Sequence, residues 1–241
     1  LGNNITIAPY KQQNEPGVVF QAYRAWPTLE PYRADGSFAG VQGVGNPLAS
    51  IEYNNSFNKG IRAVGNMFLE ATFLKNFVAK TSFGIDAGYN KAESFSPAYT
   101  VLYYDGTESM QKHSKSSLFK GSSENFTWLW ENTLNYSKTF EKHAINAVGG
   151  FTMQNSNSEY FNASGEDIIR DASDFWYLQY NNISGAGING SLSNGVDAGL
   201  YYSMISYLAR ANYTYDDKYI FTATFRRDGS SKFSSENRWS M

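Results

Sequence analysis

The chain holds two histidines, His113 and His143, and no cysteine. Neither histidine stands at a metal-ligand spacing or in a nucleophilic triad pattern, so zinc and hydrolytic chemistry lack their residues. His143 reads as a solvated group at the end of a strand. Glu166, Asp167, Asp171 and Asp174 crowd four carboxylates into one stretch, but their spacing is not that of a calcium loop. Gly185-Ala186-Gly187-Ile188-Asn189-Gly190 matches G-x-G-x-x-G, a phosphate cradle only where a helix follows. Ser191 to Gly199 is too glycine-rich for that helix, and a flexible loop is expected. The sequence therefore predicts no enzyme: no catalytic residue, no cofactor and no metal.

Recognition chemistry is better supplied. Tyr and Trp faces stack on sugar rings or peptide side chains, and polar neighbours fix orientation. Tyr23, Arg24, Trp26, Tyr32 and Asp35 form one such group; Trp176 and Tyr177, flanked by Phe175 and Tyr180, form another. These are the candidate substrate-binding residues, with plain loop packing as the competing role.

The elements that must position them are strands. From Met204, odd positions are apolar or aromatic (Ile205, Tyr207, Ala209, Ala211, Tyr213, Tyr215) and even ones largely polar (Ser206, Arg210, Asn212, Thr214). After Asp216-Asp217-Lys218 the alternation resumes through Tyr219, Phe221, Ala223 and Phe225. Period-2 alternation makes a strand with one apolar and one polar face. The same pattern predicts strands over about 61–73, 77–89, 125–137, 143–154, 204–215 and 219–227. At ~3.3 Å per residue such strands are long enough, tilted, to cross a hydrocarbon band. Their polar faces would put Arg62, Glu70, Lys80, Asp86, Glu131, Arg210 and Arg226 along a lumen. That mixed-sign lining suits neutral or zwitterionic cargo better than a selective ion path. Asn132 interrupts the apolar face of its strand.

Connections alternate between a few residues and thirty or more, as in outer-membrane barrels with short turns on one side and long loops on the other. Aromatics bracket the short turns: Phe73 and Phe77, Tyr136 and Phe140, Tyr215 and Tyr219, as in an interfacial girdle. Tyr and Phe number 18 and 17, net charge is −2, and no apolar run is long enough for a transmembrane helix. Mean hydropathy is −0.46, which does not argue against a barrel because alternation averages the signal away. Near-neutral charge gives no case for nucleic acid. Residues 1–58 read as an extracellular loop region with a short helix from Val18 to Trp26, and 59–241 as a partial barrel. Tyr99 to Asp105-Gly106 reads as a hairpin standing out of it. With Leu1 first, no signal peptide and Met241 beside a motif, an internal piece of a longer protein is expected.

That motif is Tyr213-Thr214-Tyr215-Asp216-Asp217-Lys218-Tyr219, then Arg226-Arg227-Asp228-Gly229-Ser230-Ser231-Lys232-Phe233, then Asn237-Arg238-Trp239. It resembles the signature of the SusC/RagA branch of TonB-dependent outer-membrane transporters; Asn46-Pro47-Leu48-Ala49 is similar to a second, weaker one. The resemblance implies an all-β transmembrane barrel of roughly 22 strands closed by a plug, of which this chain would supply about six. It also implies a SusD-like surface lipoprotein as lid, the TonB complex as energy source, and oligosaccharide or oligopeptide cargo. The location implied is the outer membrane of a Gram-negative bacterium of the Bacteroidota. Asp228, Gly229, Ser230, Ser231, Phe233, Arg238 and Trp239 would then be structural, bracing the rim. The alternatives are a passive porin or surface adhesin barrel, and a soluble carbohydrate-binding β protein with its apolar face turned inward.

Overall fold

The structure, a computed structural model, describes residues 1–28, 30–180 and 194–240. Ten strands occur: β1 (Gly2–Gln13), β2 (Asn55–Phe73), β3 (Phe77–Ser96), β4 (Tyr99–Leu102), β5 (Glu108–His113), β6 (Ser117–Phe140), β7 (His143–Glu166), β8 (Asn194–Tyr215), β9 (Tyr219–Ser230) and β10 (Trp239–Ser240). Eight of them make one open antiparallel sheet in the order β1-β2-β3-β6-β7-β8-β9-β10; β4 and β5 form a separate hairpin. No helix of the described residues is long and apolar enough to cross a membrane.

Three tight turns join strands at one end. Leu74 and Lys75 take left-handed φ values of 48° and 60°, Glu141 takes 50°, and Asp216 and Asp217 take 50° and 51°. Left-handed turns match the natural twist of a hairpin, and Asp accepts that conformation more readily than Leu.

Several expected boundaries move. The region 1–58 is not all loop: Gly2–Gln13 is a strand in register with β2 from Gly2↔Phe68 to Gln13↔Phe57. With β1 at one edge and the two-residue β10 at the other, the sheet has eight strands rather than six. The helix is α1 (Val18–Arg24), with no buried residue, so its apolar stripe is not a packed face. A second helix, α2 (Pro47–Glu52), was not expected. The turn placed at 138–142 narrows to Glu141 and Lys142, because Phe140 pairs with His143. The strands also outrun their predicted ends: β6 has 24 residues, about 80 Å of chain at ~3.3 Å per residue.

Continuous register fixes the faces. Even positions of β2, β3, β7, β8 and β9 and odd positions of β6 lie on one side. The other side carries the apolar series, and none of the described residues covers its central band: Phe83 is 48% exposed, Tyr207 48% and Phe221 66%. A soluble sheet would bury such a face. The inward-facing soluble reading fails here.

Buried residues instead cluster beyond the apolar band, at the long-loop end. Phe95 and Leu118, with Ile168, form a small core on which Trp176, Leu178 and Tyr180 pack. A second cluster holds Ala39, Val41, Ala49 and Val101, where the hairpin β4–β5 folds against residues 31–54 and Tyr53 stacks on Tyr99 at 4.2 Å. At its centre lies Asn46. Its Nδ2 donates to the carbonyls of Pro31 (2.7 Å) and Ala39 (2.9 Å), and its Oδ1 accepts from Leu48 N (2.9 Å). Asn46 thus caps α2, whose first residue is Pro47, a favoured start.

Candidate functional site: a polar sheet face and its long-loop rim

All seven charged residues expected along a lumen lie on one face. Arg62 forks onto Asp86 (Nε–Oδ1 3.2 Å, Nη2–Oδ2 2.8 Å). Glu70 stands opposite Lys80, but the Lys80 ammonium lies 4.5 Å over the Phe68 ring instead. Glu131 is flanked by Ser82 and Thr152. Arg210 donates to Thr224 Oγ1 (3.2 Å) and Arg226 to Asp228 (2.8 Å). Thr127–Ser156 and Thr222–Asn212 hydrogen bonds fill the same surface. The face is a field of small polar groups with charges of both signs, in which Arg62–Asp86 and Arg226–Asp228 are ion-paired. It can hydrogen-bond a polar solute but presents no net field.

The aromatic loop residues do not converge. Trp26, 69% exposed, lines a cleft of about 470 Å³ with Gly40, Val41, Gln42, Tyr103, Tyr104 and Asp105. Tyr23 stands free, and the Arg24 guanidinium lies 5.4 Å over Phe20. Tyr32 packs on Phe38 at 5.5 Å. The Asp35 carboxylate is consumed in its own turn, accepting from Ser37 Oγ (2.6 Å), Ser37 N (3.0 Å) and Arg33 (3.1 Å). Those bonds, Ser37 first, hold its pKa below the usual carboxylate value. The sequence reading missed Tyr103, Tyr104 and Asp105; their Tyr-Tyr-Asp-Gly run carried the signal.

Trp176 and Tyr177 belong elsewhere. Trp176 stacks on Phe95 at 4.7 Å, and Phe95 continues the face of Phe83, not that of Asp86. The segment around Trp176 therefore drapes over the apolar side of the strand extensions, away from the seven charges. Tyr177 receives the Lys120 ammonium at 5.0 Å. Gly185 to Gly190 falls outside the described residues; part of the glycine-rich stretch after it, from Asn194, is strand β8.

At the short-turn end the rings of the aromatic belt gather in two groups on the apolar face. Phe73 stacks on Phe77 (5.6 Å), Phe77 meets Tyr136 (4.8 Å), Phe140 stacks on His143 (5.0 Å), and Tyr215 meets Tyr219 (6.5 Å). His143 is thus no free solvated group. It belongs to the belt, with Nδ1 2.7 Å from the Tyr213 hydroxyl. In the turn below, Lys142 and Lys218 both reach the Asp216 carboxylate at 3.0 Å. Their hydrogen bonds hold its pKa below the ordinary 3.8. A depressed carboxylate stabilises the folded form above its unfolded pKa and loses that contribution as pH falls through the folded value. Asp216→Asn should therefore lower stability at neutral pH, and the difference from the parent should shrink as pH falls through the depressed folded-state value. Chemical denaturation across pH 2–7 checks this.

The motif after β9 has a geometric account. A Cβ on Gly229 would stand 2.8 Å from the Trp239 ring. That ring lies flat over the glycine, stacks on Tyr207 (6.1 Å) and takes the Arg227 guanidinium at 5.0 Å. Ser231 exchanges bonds with Ser203 (2.8 and 2.9 Å), and Ser230 N donates to the Arg238 carbonyl (3.0 Å). Phe233, 60% exposed, is not part of this packing.

No family model matches the chain. It is 28% identical over 228 residues, 93% of its length, to TonB-dependent receptor P3 of Formosa agariphila, and 27% identical over 248 residues to receptor P26 of that organism. TonB-dependent receptor SusC of Bacteroides thetaiotaomicron is 51% identical over 37 residues, 15% of the chain. A solved structure described as the RagAB peptide transporter superposes with a TM-score of 0.77 over 99% of the chain and 27% of its own, at 18% identity. The chain spans about a fifth of the curated relatives it matches along most of its length. Alternating faces, an uncovered apolar side and these likenesses agree: the fold is a stretch of transmembrane barrel wall, and the chain is similar along most of its length to TonB-dependent receptors of the SusC/RagA type.

Proposed function

We propose that this chain forms part of the wall of an outer-membrane importer in a Gram-negative bacterium of the Bacteroidota, driven by TonB and lidded by a SusD-like lipoprotein. Its cargo is oligosaccharide or oligopeptide, and it performs no covalent chemistry. The carrying observation is the segregation of the sheet into a bare apolar face and a face of seven charges of mixed sign amid Ser, Thr and Asn. Only a closed sheet can sit in lipid with every backbone group paired, and its polar face then meets the cargo. Arg62, Glu70, Lys80, Asp86, Glu131, Arg210 and Arg226 line that lumen. Of the loop candidates, Tyr23, Arg24, Trp26 and Tyr32 remain available for cargo, with Trp26 in its cleft the best placed. Asp35 serves its own turn. Trp176 and Tyr177 brace a loop.

The test is uptake by cells carrying the full-length receptor, supplied with labelled peptide or glycan pools, with and without TonB. Accumulation of one pool that disappears without TonB is expected. Equal uptake in both strains would favour a passive pore. A product recovered in the soluble fraction without detergent would end the membrane reading altogether.

A further inference from the structure

One row of the sheet carries like charges that no carboxylate among the described residues neutralises. Lys11 pairs with Lys59 across β1 and β2, and Lys59 pairs with Lys91 across β2 and β3. Three lysines thus stand side by side on adjacent strands, spanning about 10 Å at ~4.8 Å per strand. All three are exposed. Like charges directly opposite one another destabilise a sheet.

Their face and height are both informative. All three continue the apolar face, not the polar one. The row just below them is Pro9, Ile61 and Tyr89, and the series then runs down through Ile7, Ala63 and Ala87 to Phe73 and Phe77 at the aromatic belt. From Phe73 to Lys59 is fourteen positions of β2, roughly 35 Å of height for a strand tilted ~40°. The apolar band of such a barrel is about 25 Å tall, so the row sits above its outer edge, at the level of the lipid headgroups.

The lysines are not matched by carboxylates. Lys112, Lys120, Lys142 and Lys218 each hold one. Among the described residues Lys11, Lys59 and Lys91 hold none. The Lys11 and Lys59 ammonium groups lie over the Phe57 ring at 5.6 and 5.8 Å, and that of Lys91 over Tyr89 at 5.6 Å. Three acidic residues share this face on the adjoining rows. Glu93 is taken by Lys120, and Glu124 stands opposite Tyr89 and faces Glu159. Phe57 on the row above and Tyr89 on the row below hold the ammonium groups only by their ring faces, so their hydrogen-bond donors stay free for an anion.

We infer that Lys11, Lys59 and Lys91 form a binding site for the phosphate of an anionic lipid in the outer leaflet. The acyl chains would lie along the Ile61–Ile7–Ile85 surface beneath. The inference rests on the membrane placement proposed above, and the two fail in distinguishable ways. If that placement is wrong, the protein needs no detergent; if only this site is wrong, a detergent-dependent barrel lacks the lipid preference.

The experiment titrates phosphatidic acid into the full-length receptor in neutral detergent micelles, with phosphatidylcholine and inorganic phosphate as comparison ligands. Heat-modifiable migration checks folding of each variant. Phosphatidic acid should bind at least tenfold more weakly to the Lys11→Gln, Lys59→Gln, Lys91→Gln triple variant, since each lysine near an anionic surface contributes several-fold. The Lys→Arg triple variant should retain binding, and Lys218→Gln, at the opposite end of the sheet, should leave it unchanged. Equal affinity in parent and Gln triple variant would overturn the site. So would binding of phosphatidylcholine as tight as that of phosphatidic acid, or competition by inorganic phosphate at matched concentration.

Discussion

Ala209→Arg should cost about 2–4 kcal/mol of folding stability, the penalty for a cation near the middle of a lipid-facing barrel surface. Ala209 lies on the apolar face of β8 between Gly149 and Phe225, six positions above the belt residue Tyr215. Its neighbour is a natural arginine, Arg210, on the other face and bonded to Thr224. One step along the chain thus separates a tolerated guanidinium from an intolerable one. Thr152→Arg, between Glu131 and Ser206 on the polar face, should change stability by no more than about 0.5 kcal/mol. Denaturant titration of the receptor in lipid vesicles measures both. Equal penalties at the two positions would mean that lipid does not touch the Ala209 side.

The second large effect concerns the drape over the strand extensions. Phe95→Ala removes a ring that is 2% exposed and stacked on Trp176, a truncation that typically costs about 3–5 kcal/mol. The loss should be local, because the covering segment spans only residues 167–180 while the hydrogen-bonded wall beneath it stays paired. Proteases added to intact cells should cut between residues 167 and 180 in the variant but not in the parent, with heat-modifiable migration preserved. Trp176→Ala should release the same segment and leave the KM for cargo unchanged. A raised KM without new cleavage would return Trp176 to the cargo path.

What the sequence disclosed follows from where lipid lies. Within the hydrocarbon band one face must be apolar and the other need not be. Alternation is therefore plain in Ile205 to Tyr215 and Phe77 to Tyr89, and the faces of all seven charges could be read from it. Beyond the band both faces meet water or loops. Asn155-Ser156-Asn157-Ser158-Glu159 is polar at every position yet lies in the middle of β7. Periodicity has nothing to report there, and the extensions of β3, β6, β7 and β8 read as loop. β1 hid for a different reason. Its outward series Ile5, Ile7, Pro9 includes a proline, which reads as a break but is admissible on a strand at the edge of the described sheet. Trp176 misled because aromatic richness marks cargo stacking and rim packing alike, and only register tells the faces apart. Asn132 remains without a physical account: it stands on the apolar face with Nδ2 buried and unpartnered.

All the sheet's pairings join strands that follow one another in the chain, apart from the hairpin β4–β5 set aside between β3 and β6. The hairpins β2–β3, β6–β7 and β8–β9 can each zip from a tight turn. Every long excursion emerges at the opposite end, and closing a loop costs only about 0.6 kcal/mol more for each doubling of its length. Descendants of this sequence are therefore free to lengthen, shorten or exchange their outward excursions at little thermodynamic penalty. Specificity can diversify quickly on a frame that hardly changes.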